Sequence, residues 1–229
     1  MNDEVHVYFF DTNRLNFQVG KHITRAESEK ATRFSRETDK KNFLYGRCLI
    51  RLLLGKLNNI PPGNIEIAGK PNKKPFAKIS GSGNLVQTQF TLSHSENGLL
   101  IAFSQNQVGC DVEAIRNTKY DDVVNTSFTP NEAATVRNSN DSLKDFFKIW
   151  TRKEAVLKLN GTGLIDNLKQ LEVCNAINSI EAPELQSSES LFLTSFQIGA
   201  SFSAAICYQG NAQKSIYFFD GSQALKNLL

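Results

Sequence analysis

Apolar positions recur along this chain first with the period of a strand and then with that of a helix, and the second half repeats the order. Val5-His6-Val7-Tyr8-Phe9-Phe10 alternates and then runs apolar, which predicts a strand; Thr24 to about Leu57 is rich in helix formers and predicts a helical stretch ended by Asn58–Gly63. Within it Leu44, Cys48 and Leu52 recur at i, i+4 and i+8 as a buried stripe, with Arg47 and Arg51 on a neighbouring face. Short strands are predicted near Ile65–Ala68, Phe90–Ser93 and Leu99–Ser104, with a basic turn over 69–75 and a flexible loop over Ser80–Asn84.

The second half opens with a strand over Val108–Glu113. Helical segments follow near Tyr120–Asn125, Asn131–Arg137 and Ser142–Leu159, then strands near Leu168–Val173, Leu191–Ile198 and Phe202–Tyr208, with a polar surface loop over Ala182–Ser190. Both halves therefore run strand, helices, strands. The predicted fold class is α+β, as two similar lobes over residues 1–105 and 106–229 with a cleft between them as the natural site.

Composition narrows the classes. With 40% hydrophobic and 21% charged residues among 229, collagen-like, disordered and disulfide-scaffold chains are excluded. Cys48, Cys110, Cys174 and Cys207 are far apart and form no C-x-x-C pair, which reads as four reduced thiols. No apolar run approaches the about 18 residues of a membrane span, and the start MNDEVH lacks the basic-then-apolar order of a signal peptide, so a cytoplasmic protein without a membrane partner is expected. Lys and Arg exceed Asp and Glu by 26 to 23, a net +3 that is too mild to call for nucleic acid. The distribution is uneven: basic residues crowd positions 21–56, whereas a carboxylate pair, Asp111 and Glu113, comes later. That division suits a phosphate ligand together with a metal.

Three clusters carry candidate chemistry. Asp111 and Glu113 stand two apart on a predicted strand and so share a face, where like charges call for a cation; a solvated strand edge is the plain alternative. Glu154 and Lys158 stand four apart on a predicted helix, on a face shared with Trp150, either as an ordinary surface ion pair or as site residues. Together the three carboxylates form an all-oxygen set suited to Mg²⁺. Ser93-His94-Ser95 ends a predicted strand and could donate hydrogen bonds to a phosphate, or simply cap a turn. No G-x-S-x-G, Walker loop or G-x-G-x-x-G occurs.

These residues, in order, resemble the 4′-phosphopantetheinyl transferases, in particular the pseudo-dimeric, surfactin-synthetase-activating type. The resemblance runs through Arg33-Phe34 with Asp39 and Gly46, Gly69-Lys70-Pro71, Ser93-His94-Ser95, Gly109-x-Asp111-x-Glu113, Phe128-Thr129-x-x-Glu132, Trp150-x-x-Lys153-Glu154-Ala155-x-x-Lys158 and Gly161-x-Gly163-Leu164. It implies two α+β lobes with coenzyme A bound between them. It implies transfer of the phosphopantetheine arm to a serine of an apo acyl or peptidyl carrier protein, with release of adenosine 3′,5′-bisphosphate, by a monomer. Asp111, Glu113 and Glu154 would hold Mg²⁺; Lys158 would offset phosphate charge; His94 would donate to a phosphate oxygen; Glu154 would accept the serine proton, directly or through water. Lys30, Lys70 and Ser93, with His94, Asp111 and Lys158, would contact coenzyme A. One segment departs from the family pattern, Glu27-Ser28-Glu29-Lys30, which is more acidic than its counterparts. Trp150 is assigned to core packing, and Arg47 and Arg51, to which the family pattern gives no clear contact, to a structural or solvated role. A Mg-dependent nuclease or phosphohydrolase is the alternative reading, since D-x-E with a further Glu and a Lys also describes those enzymes. A non-catalytic scaffold would be expected to have lost one of these groups.

Overall fold

The computed structural model describes residues 4–70, 73–161, 168–174, 190–210 and 212–226. Strand β1 (Glu4–Asp11) is followed by helices α1 (Arg25–Ala31) and α2 (Glu37–Asn58), then by strands β2 (Ile65–Ala68), β3 (Phe76–Ile79), β4 (Gln89–Ser95) and β5 (Gly98–Ser104). Strand β6 (Val108–Ala114) opens the second half. Helices α3 (Asp121–Ser127), α4 (Pro130–Arg137) and α5 (Ser142–Asn160) follow, then β7 (Ser190–Ile198), β8 (Phe202–Gly210), β9 (Ser215–Asp220) and α6 (Gly221–Lys226).

Each half builds its sheet in one way. The first has the order β4-β5-β1 and the second β7-β8-β6, so in both the hairpin that follows the long helix folds back beside the opening strand. All of these neighbours are antiparallel. The α+β class and the two similar lobes are as the pattern predicts. Apolar residues on opposite strand faces divide the core into three. Leu49, Leu53 and Cys48 of α2 pack on Phe10, Ile101 and Phe103. Val156, Leu157 and Phe147 of α5 pack on Ala205 and Cys207. Between the two sheets Val7, Leu100 and Ala102 meet Cys110, Val112, Ala204 and Ile206. The result is helix, sheet, sheet, helix, and fully buried strands such as β5 accordingly read as apolar runs.

Several expectations are corrected. Thr24–Leu57 is not one helix: α1 ends at Thr32, whose hydroxyl donates to the Glu29 carbonyl, and α2 begins after Arg36. An unbroken helix would separate Glu27 from Arg51 by about 36 Å at ~1.5 Å per residue. The turn instead folds α1 back until Arg51 donates to the Glu27 carboxylate at 3.0 Å. The Leu168–Val173 strand is a short 3-10 turn over Leu168–Gln170 and an extended tail. Lys153 donates to the Leu168 and Leu171 carbonyls, Arg152 to that of Val173, and the Val173 N–H donates to Glu132. Side chains of α4 and α5 take the place a neighbouring strand would fill. The Ser80–Asn84 segment is a turn stitched by backbone bonds Ile79 to Asn84 and Gly83 to Ile79, with Gly81 and Gly83 at positive φ. Strands β3 and β9 and helix α6 have no counterpart in the sequence reading. Strand β9 pairs in parallel with β1, so a segment from beyond residue 106 completes the first lobe's sheet. Pro71, Gly163, Leu164 and residues 182–189 lie outside the described residues. No described helix is long and apolar enough to cross a membrane.

Two features hold α5 in place. Gly109 lies under it: a Cβ there would stand 2.0 Å from the Ala155 carbonyl oxygen and 2.4 Å from the Leu159 nitrogen. Only a glycine lets the helix backbone come this close to β6. Beneath the other face of α5, Lys153 and Glu132 form an ion pair at 2.7 Å with both side chains fully buried. Burial pushes Glu132 up and Lys153 down, and each is compensated by further bonds, Thr129 N–H and Val173 N–H to Glu132 and two carbonyls to Lys153. Removing one partner leaves an isolated buried charge, so Lys153→Met and Glu132→Ala should each lower unfolding free energy by about 3–5 kcal/mol in denaturant titrations. Gly109→Ala should cost about 3 kcal/mol or more, at or above the usual range for overpacking. A loss under about 1 kcal/mol for either kind of change would mean that α5 tolerates displacement.

Candidate active site

The site lies where edge strand β4 of one sheet meets edge strand β6 of the other. Side chains two apart on a strand share a face, and the two strands meet in step: Ser93 donates to Asp111 Oδ1 at 2.7 Å, and Ser95 donates to Glu113 Oε2 at 2.7 Å. The Ser95 hydroxyl also accepts the Ala114 N–H, which fixes the end of β6. His94, between the serines, points the opposite way and is exposed to the cleft. Helix α5 closes the arrangement from above. Because Gly109 brings it onto β6, Lys158 Nζ reaches Asp111 Oδ1 at 2.6 Å and Ser93 Oγ at 2.7 Å.

The resulting cleft encloses about 470 Å³ and is walled by both lobes. Phe43 and Arg47 come from α2, Lys73 and Lys74 from the turn after β2, His94 from β4, and Glu154 and Lys158 from α5. Asp111, 2% exposed, lies directly beneath Lys158. Thus Glu154, Lys158 and His94 border the cleft, and Asp111 supports it from below. The Ser93 hydroxyl donates to Asp111 and accepts from Lys158, which ties β4 to this corner of the cleft. Lys30 and Lys70 are exposed and do not border the cleft; the Lys30 ammonium sits 5.3 Å from the centroid of the Phe43 ring. Trp150 is half-buried against the second lobe's core, stacked on Phe146.

Electrostatics in this corner are strained by three carboxylates. Burial raises the pKa of Glu154, and the charges of Asp111 and Glu113 raise it further against the pull of Lys158. Burial also raises that of Glu113, helped by Asp111 and opposed by the Ser95 hydrogen bond. Burial works against the Lys158 ammonium, but Asp111 outweighs it by charge and hydrogen bond, and the lysine titrates above its ordinary value. His94 is shifted down by burial and by Lys158, which favours a neutral imidazole at neutral pH. Asp111 Oδ2 is buried without a hydrogen-bond partner among the described residues. An orphan carboxylate oxygen beside two carboxyls that resist ionisation is a surplus of negative charge that a hard divalent cation would relieve, and the all-oxygen donors suit Mg²⁺. As oriented here, no three His, Cys, Asp or Glu side chains among the described residues are gathered closely enough to hold a metal ion.

Two cleft residues escaped the sequence reading. Lys74 donates to Gln107 Oε1 at 3.0 Å and to the Val108 and Leu159 carbonyls at 2.7 and 3.4 Å, so a first-lobe lysine is tied to β6 and to the C-terminal end of α5. Burial lowers its pKa to about 8. Arg47 was grouped with Arg51, yet the two part company. Arg51 donates to the Ile65 and His22 carbonyls and to Glu27, and is structural. Arg47 borders the cleft. Nothing in the sequence distinguishes the two, since a spacing of four puts both near one face of α2.

The strain gives a stability test. A carboxyl raised in the folded state stabilises the fold below its unfolded pKa and loses that contribution as pH rises through the folded value, so above both values it is a net penalty. Glu154→Gln removes the penalty. Its Tm should exceed the wild-type value at pH 7, with the difference vanishing near pH 4; a lower Tm at pH 7 would show that Glu154 stabilises the fold.

Comparison with known proteins gives a consistent picture. Residues 12–106 match the family model described as 4′-phosphopantetheinyl transferase, N-terminal, and residues 107–207 that of the 4′-phosphopantetheinyl transferase superfamily. The chain is 30% identical over 197 residues to the 4′-phosphopantetheinyl transferase HetI of Nostoc sp. (strain PCC 7120), covering 82% of this chain and 80% of that protein. It is 25% identical over 190 residues to a 4′-phosphopantetheinyl transferase of Bacillus subtilis, covering 81% of each. It is 28% identical over 156 residues to the 4′-phosphopantetheinyl transferase gsp of Aneurinibacillus migulanus, covering 67% of this chain and 62% of that one.

Proposed function

The chain belongs to the 4′-phosphopantetheinyl transferase superfamily, and from that premise we propose that the cleft beside Lys158 binds coenzyme A and passes its phosphopantetheine arm to a serine of an apo carrier protein. The products are the holo-carrier and adenosine 3′,5′-bisphosphate. The observation that carries the reading is the Lys158–Asp111–Ser93 triangle at the edge of a cleft whose walls also bring Arg47, Lys73 and Lys74.

In this reaction the serine oxygen forms a bond to the β-phosphorus of the pyrophosphate while the bond from that phosphorus to the bridging oxygen breaks. Most of the barrier is lowered by holding the phosphates and neutralising their charge. Lys158 has three N–H donors and spends two on Ser93 and Asp111, which leaves the third for a phosphate oxygen. Asp111 keeps that lysine charged. His94, neutral and open to the cleft, donates one N–H to a phosphate. Glu154 accepts the serine proton, and its raised pKa makes it a better base than an ordinary glutamate. A magnesium ion held by Asp111, Glu113 and Glu154 would neutralise developing charge on the pyrophosphate. Lys30, whose ammonium lies over Phe43 at the cleft wall, and Lys70, on the turn that carries Lys73 and Lys74, serve the nucleotide end.

One chain supplies both walls of the cleft, which supports action as a monomer of two lobes, residues 1–105 and 106–229. Four free cysteines, three of them buried, accord with a reducing cytoplasm.

Mass spectrometry of apo-carrier incubated with the protein, coenzyme A and Mg²⁺ tests the activity. One added phosphopantetheine mass on the carrier is expected, and an unmodified panel of acyl and peptidyl carriers would overturn the reading. Asp111→Ala and Glu154→Ala should each leave less than about a tenth of wild-type transfer, the size of effect expected from a lost metal ligand or its immediate support. Retention of most activity in both would remove the carboxylate cluster from the mechanism.

A further inference from the structure

Strands β4 and β5 are joined by a two-residue turn, Glu96-Asn97, directly after Ser95. Glu96 stands there at φ 49°, in the left-handed region, where a hairpin this short ordinarily places glycine. Among the described residues the other non-glycine in that region is Asn59, a residue type that tolerates it, at the end of α2. A glutamate persists in such a conformation when its surroundings over-determine the backbone, and here they do. Asn42, fully buried on α2, donates to the Glu96 carbonyl at 2.7 Å and accepts from the Thr12 hydroxyl at 3.0 Å. The Thr12 N–H donates to the Asn97 carbonyl at 2.8 Å, and Asn97 donates to Asp11 at 2.6 Å. None of these bonds uses the glutamate side chain, so glycine would build the same turn with less strain.

The side chain joins three segments instead. Its carboxylate takes Arg116 at 2.5 Å and Arg36 at 3.5 Å. Arg36 lies just before α2 in the first lobe, and Arg116 follows the end of β6 in the second. None of the three borders the cleft. All three side chains are substantially exposed, and exposed ion pairs add little to stability, so the fold does not explain a strained glutamate here. Its place along the seam does. The inner pair, Ser93 with Asp111, is held by Lys158. The outer pair, Ser95 with Glu113, comes next, and the Ser95 hydroxyl also accepts the Ala114 N–H. Beyond it the same two strands are joined once more, by Glu96 and Arg116. Resting on the proposed function, we infer that Glu96 is a positioning residue: paired with Arg116, it holds the outer ends of β4 and β6 together, keeps Ser95 on Glu113, and so orients that carboxylate for the reaction. Glycine would give a better turn and a looser site.

The test sets stability against turnover, using a carrier the wild type modifies. In Glu96→Gly, kcat should fall about ten-fold, the low end for a group that supports a metal ligand from behind, with KM for coenzyme A unchanged. Its Tm should equal or exceed that of wild type, because glycine suits the turn; a merely structural role would lower Tm and activity together. Arg116→Ala should lose a similar factor in kcat, and the double variant no more than either single one, since the two residues act as one pair. Amide exchange followed by NMR reads the seam without turnover. The Ala114 amide should exchange about ten-fold faster in both single variants, while that of Asp111, at the inner pair, keeps its rate. Wild-type exchange at Ala114 overturns the assignment, as does a lower Tm in Glu96→Gly or a loss that falls on KM for the carrier. A wild type that modifies no carrier sinks the functional reading instead, and exchange at Ala114 still decides whether Glu96 closes the seam.

Discussion

The seam between β4 and β6 is the contact on which the site depends. Two edge strands from different sheets lie side by side, and their serines and carboxylates meet in register, Ser93 with Asp111 and Ser95 with Glu113. The apolar layer between the sheets, with Leu100 and Ala102 on one side and Cys110 and Val112 on the other, sets that register. A slip of one residue would turn Cys110 outward and Asp111 into the apolar layer, so the hydrophobic pattern that fixes the fold also fixes the carboxylates.

The seam occurs once although the topology would allow it twice. Tyr8 lies opposite the fourth residue of β5, and Asp111 lies opposite the fourth residue of β8; Phe10 and Glu113 each oppose the second. The first lobe therefore carries aromatic core residues where the second carries carboxylates. Strand β9 covers the exposed edge of β1, while the corresponding edge of β6 faces β4. Equivalent frames have been given different contents, one sealed and one chemical.

Several residues of the family pattern serve to place others. Thr129 and Glu132 form a capping box at the start of α4, Glu132 turns inward to Lys153, and both grip the segment at Leu168–Val173. Lys153 precedes Glu154 by one position, so it points into the core as Glu154 points into the cleft. Lys74 grips the far end of α5 from the other lobe, and Gly161 closes that end in the left-handed conformation against the Lys74 side chain. The helix bearing Glu154 and Lys158 is thus held at its base, along its buried face and at its tip.

From the residues alone one can read the two-fold repetition of strand, helices and strands, the carboxylate pair on one strand face, and the Glu154–Lys158 pair on one helix face, because each follows from local periodicity. The same local rules failed at residues 24–57 and 168–173. There, charged side chains from distant positions, Glu27 with Arg51 and Lys153 with Leu168 and Leu171, override propensity. Nor could periodicity separate Arg47 from Arg51, since both lie near one face of α2 and only the neighbours differ: carbonyls around one, a cleft beside the other. The partners of Ser93 were likewise set by packing alone, which places Lys158 and Asp111 on either side of its hydroxyl. The sequence by itself determined which groups share a strand face or a helix face, a matter of a few residues' spacing. Which group meets which across the seam was decided only by packing, because those contacts join residues far apart in the chain through a Gly109 that lets two backbones touch.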